Sequence, residues 1–373
     1  MDYNSYTPSR LMKTSKNRLY SALSLLLSIC AFFFTACGPA EPFRTEFALG
    51  TVCTVTLYDQ GRNSVYNAIF NRIREIENLM SVNIPSSDIS RINNNAGIAP
   101  VEVNEETFKV IERALFFARL SGGAFDPTVG PLVNLWDIGS AQPRVPEQDE
   151  ISNALSLVNW RNVELDAQKK SVFLTQRGMA LDLGAIAKGY AADAVAITAK
   201  DLGIKRALID LGGNIVIFGE KRDRSPWRVG IQKPDIIRGE IIGFIQFAQP
   251  ASLLNLFKDA AEKKITVVTS GIYERFFKQD GAHYHHIFST LINEGRGYPV
   301  NNGLVSVSII AENSTDADAL STAVFVLGFE KGKKFLELFP GAGAVFIFDD
   351  NSAAVAPGVD FTFTDKTFLE VPF

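Results

Sequence analysis

Two hydrophobic periods alternate along this chain. "FALGTVCTVTLYD" (47–59) alternates apolar and polar positions and is rich in Thr and Val, the pattern of a strand. "NSVYNAIFNRIREIENLMS" (63–81) switches to helical spacing, with Ile69, Ile73, Ile76 and Met80 on one stripe. "NEETFKVIERALFFARLSGG" (104–123) repeats the helical logic, with Asn104 as N-cap and Gly122 as the stop. "DPTVGPLVNLWDIG" is broken by Pro and Gly and reads as a structured loop. After the Pro-rich loop at 142–146, "QDEISNALSLV" (148–158) predicts a short helix and "SVFLTQ" (171–176) a strand. "AIAKGYAADAVAITAKDLG" (185–203) predicts a helix ended by Gly203, and "RALIDLGGNIVIFG" (206–219) a strand, a Gly turn and a strand. "WRVGIQK" (227–233) and "GEIIGFIQF" (239–247) read as strands, and "ASLLNLFKDAAEKK" (251–264) as a short exposed helix. "ITVVTSG", "HYHHIF" and "LVSVSIIA" add strands; a helix from Thr315, "EKGKKFLELFP" and "GAVFIFDD" complete the chain. Strand pairs on tight turns alternate with paired helices. The pattern predicts an α+β fold with mixed, largely antiparallel sheets, not a doubly wound parallel sheet.

Composition narrows the class. With 373 residues, 46% apolar and 21% charged, the chain has enough apolar side chains to build a core. A net charge of −4 offers no nucleic-acid footprint. The amino terminus differs from the rest. Arg10, Lys13, Lys16 and Arg18 precede an uncharged run from Leu19 to Cys37, the layout of an export signal. That run approaches the ~20 residues that span a bilayer, so a transmembrane anchor is the alternative. The small residues before the cysteine in "FTAC" favour a bacterial lipoprotein signal over residues 1–37, although Phe34 stands where Leu is usual. Cys37 then carries the lipid (palmitate), residues 38–45 form a tether and 46–373 the folded domain. The expected location is the bacterial cell envelope, anchored to the inner membrane and facing the periplasm. Losing residues 1–36 removes a net charge of +3 and leaves −7. Cys53 then has no partner for a disulfide.

Four stretches carry candidate chemistry. In "LDLGAIAKGYAAD" (181–193) a strand is expected to end at Asp182, with a Gly-containing turn leading into a helix and Lys188 in its first turn. Helix N-termini suit phosphate, but the stretch is neither a Walker A loop nor GxGxxG, and a plain strand–helix turn explains it equally. "DLGGN" (210–214) reads as a hairpin turn. All three histidines fall within four residues, His283, His285 and His286. On a strand the first two face one side and His286 the other, which suits one histidine acting as a base better than a tri-His metal site. Finally, in "STDADALSTAVFVLG" (314–328) Asp318 and Thr322 lie one helical turn apart on one face, hard oxygen ligands of the kind Mg²⁺ takes. Capping by Ser314, Thr315 or Asp316 explains the first acid, with Asp316 a structural helix-start residue.

Together, "LGTVCTVTLY", "MSVNIPSSDISRIN", "GGAFDPTVGPLVNLWDIG", "LDLGAIAKGYAAD", "ALIDLGGNIVIFG", "TSGIYERFF", "HHI" and "DADALSTAVFVLG" resemble, in this order, the ApbE family of FAD:protein FMN transferases, formerly labelled thiamine-biosynthesis lipoproteins. The resemblance implies an ApbE-like, T-fold-like architecture. It implies an enzyme that binds FAD with Mg²⁺ at the pyrophosphate, moves the FMN half to a Thr or Ser hydroxyl of an exported acceptor protein, and releases AMP. Carried over residue by residue, the metal ligands are the side chains of Asp318 and Thr322 and the carbonyl of Ala185. The FAD contacts are Leu49, Ala124, Phe125, Asp126, Asp182, Lys188 and Ile287, and His286 is the general base. Two departures stand out. Asn83 occupies a position where the family often carries an aromatic ring able to stack on the flavin, which implies looser flavin retention and FAD hydrolysis to FMN and AMP beside transfer. The family's "HIIDP" is "HHIFSTL" here, which removes the Asp-Pro that follows the histidine. A dedicated FAD hydrolase and a non-catalytic flavin-binding lipoprotein are the alternatives.

Overall fold

In the principal sheet, chain order and spatial order coincide. The computed structural model describes residues 43–59, 61–221, 223–234, 239–247, 264–291 and 295–373. Nine strands form the sheet: β1 (Phe43–Ala48), β2 (Thr51–Leu57), β3 (Ala207–Leu211), β4 (Asn214–Phe218), β5 (Lys264–Gly271), β6 (Leu304–Ala311), β7 (Gly343–Phe348), β8 (Ser352–Val355) and β9 (Leu369–Val371). They lie in that order, and each neighbouring pair is antiparallel except β8 with β9, which is parallel. The helices are α1 (Asn63–Met80), α2 (Asp88–Asn94), α3 (Glu105–Leu120), α4 (Gly130–Trp136), α5 (Gln148–Ser156), α6 (Ala187–Asp201) and α7 (Ser314–Leu336). The architecture is α+β, with mixed, largely antiparallel sheets.

Strand alternation gives the sheet two apolar faces. One face, with Val55, Ile209, Val216 and Val307, packs under α1, α6 and α7 and forms the main core with Ile69, Ile73, Val195 and Leu320. The other face, with Ile217, Ile265, Val267 and Ile347, is covered by a three-stranded sheet of Trp227–Gln232, Ile241–Phe247 and Phe361–Phe363. A satellite cluster around Trp136 packs Leu132, Ile151, Val158 and Phe288. The helix α7 breaks at Gly328, whose φ of 76° and ψ of 174° are not helical.

Several expectations need correction. Residues 47–59 are not one strand but most of a hairpin turning at Leu49–Gly50, and residues 43–45, expected in the tether, belong to β1. "DPTVGPLVNLWDIG" contains helix α4. Pro131 sits in its first turn, where a missing N–H is tolerated, and the buried Trp136 indole donates to the Gly297 carbonyl at 3.0 Å. No strand ends at Asp182: Ala180 makes an isolated bridge to Val129, and the Asp182 N–H donates to the Pro127 carbonyl at 2.8 Å. Helix α6 begins at Ala187, not 185. The strand expected over "HYHHIF" stops at His285. A small sheet of Val101–Glu102, Val163–Asp166 and Ser171–Leu174 was legible only in its last strand. The signal, Cys37, the tether up to residue 42 and residues 251–263 of the helix expected over 251–264 lie outside the described residues, while Lys264, expected to end that helix, opens β5.

One buried carboxylate joins α6 to α7. Asp193 accepts from the Ser314 N–H (3.0 Å), the Thr315 N–H (2.9 Å) and the Thr315 hydroxyl (2.7 Å), so it satisfies orphan donors at the start of α7 from outside that helix. Lys264 at the head of β5 pairs with the same carboxylate at 2.5 Å. Asp193→Ala would orphan these donors and the Lys264 cation together. It is expected to cost about 3 kcal/mol of unfolding free energy, read from urea denaturation, with Asp193→Asn retaining part of it.

Candidate functional site

The site forms at one end of the sheet, where α6 and α7 begin. Their amino termini approach so closely that a Cβ on Gly189 would lie 2.2 Å from the Ser314 carbonyl oxygen and 2.8 Å from Asp318 Cβ. Glycine is therefore required there. The same approach lets the Gly189 N–H donate to Asp318 Oδ2 at 2.9 Å. Asp318 is 3% exposed, and its Oδ1 lies 3.6 Å from Lys188 Nζ, which also donates to the Gly184 carbonyl at 3.1 Å. One turn along α7, Thr322 Oγ1 is 3.2 Å from Ser270 Oγ of β5, which in turn is 2.8 Å from Ser321 Oγ. Asp318, Thr322 and Lys188 thus share one locality. Ala185 sits in the turn just before α6, between Gly184 and Ile186.

Two loops are tied to this turn. The Asp182 carboxylate accepts from the Gly184 N–H at 2.7 Å, and Leu181 exchanges hydrogen bonds with the Asn93 carboxamide of α2 at 2.7 and 3.0 Å. The neighbouring loop holds Ala124 and Phe125, both buried, and Asp126. Asp126 accepts from the Thr128 N–H (2.9 Å), the Thr128 hydroxyl (2.6 Å) and the Trp160 N–H (3.3 Å). Burial raises its pKa above the usual carboxylate value, against the pull of those donors. Its carboxylate therefore shapes the loop. Leu49 lies in the β1–β2 turn with φ of 53°. Asn83 is exposed in the segment between α1 and α2, its N–H donating to Ser81 Oγ at 3.2 Å. No hydrogen bond among the described residues links the Asn83 side chain to the other candidate groups.

The histidines separate by role. In His285, Nδ1 accepts from the Ile287 N–H (3.2 Å), which leaves Nε2 to carry the proton and donate to the Val300 carbonyl (2.8 Å). Burial lowers its pKa to about 4. In His286 the arrangement is reversed. Nδ1 faces the Arg275 carbonyl at 3.2 Å, so Nδ1 holds the proton and Nε2 keeps its lone pair. Desolvation first, then His285 and the charges of Arg275 and Lys188, lower its pKa to about 3. Ile287 follows, buried. His283 rests instead on the Phe276 ring at 4.5 Å.

The N-cap of α7 is Asn313, accepting from the Asp316 N–H at 2.9 Å, not Ser314, Thr315 or Asp316. Asp316 is structural, though not through capping: it forms a bidentate pair with Arg113 of α3 at 2.6 and 2.7 Å. An Asn directly before the helix is a favoured cap type, whereas Arg113, 203 residues from Asp316, carried no signal. The turn in "DLGGN" is a hairpin turn, at Gly212–Gly213 with positive φ. The Asn214 carboxamide that follows it is buried and makes no hydrogen bond with the described protein.

These histidines make stability depend on pH. An unfolded histidine binds its proton below about pH 6.5. Folded His285 and His286 refuse it until about 4 and about 3. The unfolded state therefore binds more protons across this window, and stability rises with pH through it. Unfolding free energy is expected to fall steadily from pH 7 to pH 4.5, with NMR of the two imidazoles showing no titration over that range. Titration of either ring near pH 6.5 in the folded protein would contradict the assignment.

Comparison with known proteins places the chain. The model of the ApbE family matches residues 49–346. An FAD:protein FMN transferase of Treponema pallidum (strain Nichols) is 40% identical over 336 residues, covering 86% of this chain and 88% of that protein. One from Klebsiella pneumoniae (strain 342) is 37% identical over 299 residues, 80% and 86% of the two chains. Among solved structures, the ApbE protein of Thermotoga maritima MSB8 superposes with a TM-score of 0.72 at 35% identity, over 84% of this chain and 96% of its own. The flavin transferase ApbE of Vibrio cholerae gives 0.69 at 26% identity, over 89% and 100%. This chain belongs to the ApbE family.

Proposed function

We propose that this protein is an FAD:protein FMN transferase acting on a Thr or Ser hydroxyl of an exported acceptor protein. The observation that carries the reading is the pairing of a buried acid, Asp318, with Lys188 at the meeting of two helix amino termini, beside a neutral histidine. Phosphoryl transfer needs positioning and charge neutralisation more than covalent chemistry. Positive helix ends and Lys188 favour the diphosphate of FAD.

The donors also suit magnesium. The Asp318 carboxylate, the Thr322 hydroxyl and the Ala185 carbonyl are hard oxygens, and Asp318 Oδ1 is 3.6 Å from Lys188, beyond a hydrogen bond. No group of three or more His, Cys, Asp or Glu side chains gathers among the described residues, which fits a cation that shares its coordination with substrate phosphates. Bound there, Mg²⁺ supplies neutralisation of charge on the phosphate oxygens. His286 Nε2 takes the proton of the acceptor hydroxyl as the oxygen bonds to the FMN phosphorus. The bond to AMP breaks, and AMP leaves with the electron pair. A neutral base is available throughout the physiological range, and the diphosphate's negative charge raises its basicity when FAD binds.

Asn83 favours a second activity at the same site. Exposed and without a ring, it leaves the flavin unstacked, so water can replace the protein hydroxyl and yield FMN and AMP. The mature protein is proposed to sit in the bacterial envelope on a lipid at Cys37, six positions before β1 begins at Phe43. Cys37→Ser is expected to abolish labelling by radioactive palmitate; undiminished labelling would exclude that anchor.

Incubation with FAD, Mg²⁺ and an acceptor is expected to give AMP with acceptor-bound FMN. AMP with free FMN alone, whatever the acceptor, would mean hydrolysis only, and bound FAD without AMP would sink both activities. Asp318→Ala is expected to lower metal-dependent turnover by about 100-fold or more. His286→Ala is expected to lose transfer. Unchanged turnover of Asp318→Ala at limiting Mg²⁺ would leave that acid a purely structural role.

A further inference from the structure

Arg275 borders the site with its side chain. Its carbonyl accepts from both the His286 N–H and His286 Nδ1, each at 3.2 Å. Its guanidinium reaches over the β1–β2 turn: a Cβ on Gly50 would lie 3.1 Å from its terminal nitrogen. Its Cδ stands 3.6 Å from where a Cβ on Gly139 would be. Both glycines have positive φ, 68° and 99°, so the two turns leave a slot for the arginine. The side chain is exposed, and no carboxylate pairs with it among the described residues. Its charge and that of Lys188 both disfavour protonation of His286.

An unpaired guanidinium at a site built for a diphosphate is a phosphate ligand by chemistry. It is always charged, planar and able to donate two parallel hydrogen bonds to one phosphate. Lys188 differs: it is already engaged by Asp318 and the Gly184 carbonyl. When the acceptor proton passes to His286, the negative charge released departs on AMP, so the FMN-side phosphate keeps a single charge throughout, which one guanidinium can neutralise. Which phosphate is held follows from position. Arg275 lies against the turn of Leu49, the expected flavin contact, and its own carbonyl fixes the base that acts on the oxygen attacking the FMN phosphorus. We infer that Arg275 is a phosphate-binding residue that holds the FMN-side phosphate of FAD, across from Lys188, before and during transfer. This inference rests on the transferase reading proposed above.

The test uses FMN, riboflavin and AMP as separate probes, with binding to the wild-type protein, Arg275→Gln and Arg275→Lys followed in the presence of Mg²⁺. FMN differs from riboflavin only by the phosphate in question. Wild type is expected to bind FMN more tightly than riboflavin, and Arg275→Gln to narrow that ratio about 10- to 100-fold. Riboflavin and AMP affinities and the thermal midpoint should stay unchanged, and Arg275→Lys should recover part of the ratio. An unchanged FMN-to-riboflavin ratio would overturn the inference. So would a loss confined to AMP, or an equal fall for all three probes. If wild type releases no AMP from FAD at all, the transferase reading has failed instead, and the FMN-to-riboflavin ratio still decides whether Arg275 reads a phosphate.

Discussion

Two helix amino termini meet here with no side chain between them, and the rest of the site depends on that contact. Gly189 lets α6 press against the first turn of α7, and the Gly189 N–H then reaches Asp318. Four residues along α6, Asp193 holds the Ser314 and Thr315 N–H groups of α7 from the same direction. One helix therefore both positions and caps the other. Lys264 adds the head of β5 to the joint, and Ser270, at the far end of β5, contacts Ser321 and Thr322. The main core beneath α6 and α7 supports the joint, so Asp318, Thr322 and Lys188 stand on packed helices, while Ala185 lies in the turn before α6.

Concentrating positive potential at this point has a cost that the fold meets locally. Two helix ends of the same polarity, Lys188 and Arg275 would repel one another without an anion. Asp193 and Asp318 supply buried negative charge, one to each role. Asp193 is saturated: three donors of α7 and Lys264 use its oxygens. Asp318 is not, since Oδ2 takes one N–H and Oδ1 has Lys188 only at 3.6 Å. The saturated acid is structural. The undersaturated one retains an oxygen for a cation, which separates two buried carboxylates of the same composition and similar burial.

The strands were largely legible because their periods are short and their connections local. "LVSVSIIA" is β6 residue for residue, and "DLGGN" marks a hairpin turn whose geometry only glycine adopts easily. The face shared by Asp318 and Thr322 followed from helical rotation alone. What the pattern could not supply was anything set by distant packing. The segment around α4 shows Pro and Gly at every turn, yet Trp136 buries itself against Gly297, and that burial makes a helix of it. The end of the "LDLGA" stretch looks like a strand end, but its backbone bonds go to Pro127 and Asn93. Asp316 and Arg113 are joined only in three dimensions.

The adjacent histidines show how little separates a structural side chain from a reactive one. Residue type does not distinguish His285 from His286, and each has a ring nitrogen directed at a backbone carbonyl, although His285 is buried and His286 only half-buried. The difference is which nitrogen meets the carbonyl. His285 spends both nitrogens, donating from Nε2 and accepting at Nδ1. His286 spends only Nδ1, on the carbonyl of Arg275. Its Nε2 is the lone pair that backbone bonding leaves unclaimed, and the hairpin that carries Arg275 sets that choice. The strand ending at His285 thus helps position the proposed base. Just past its last residue the His286 N–H still donates to the Arg275 carbonyl, and that same carbonyl fixes the tautomer of the second imidazole.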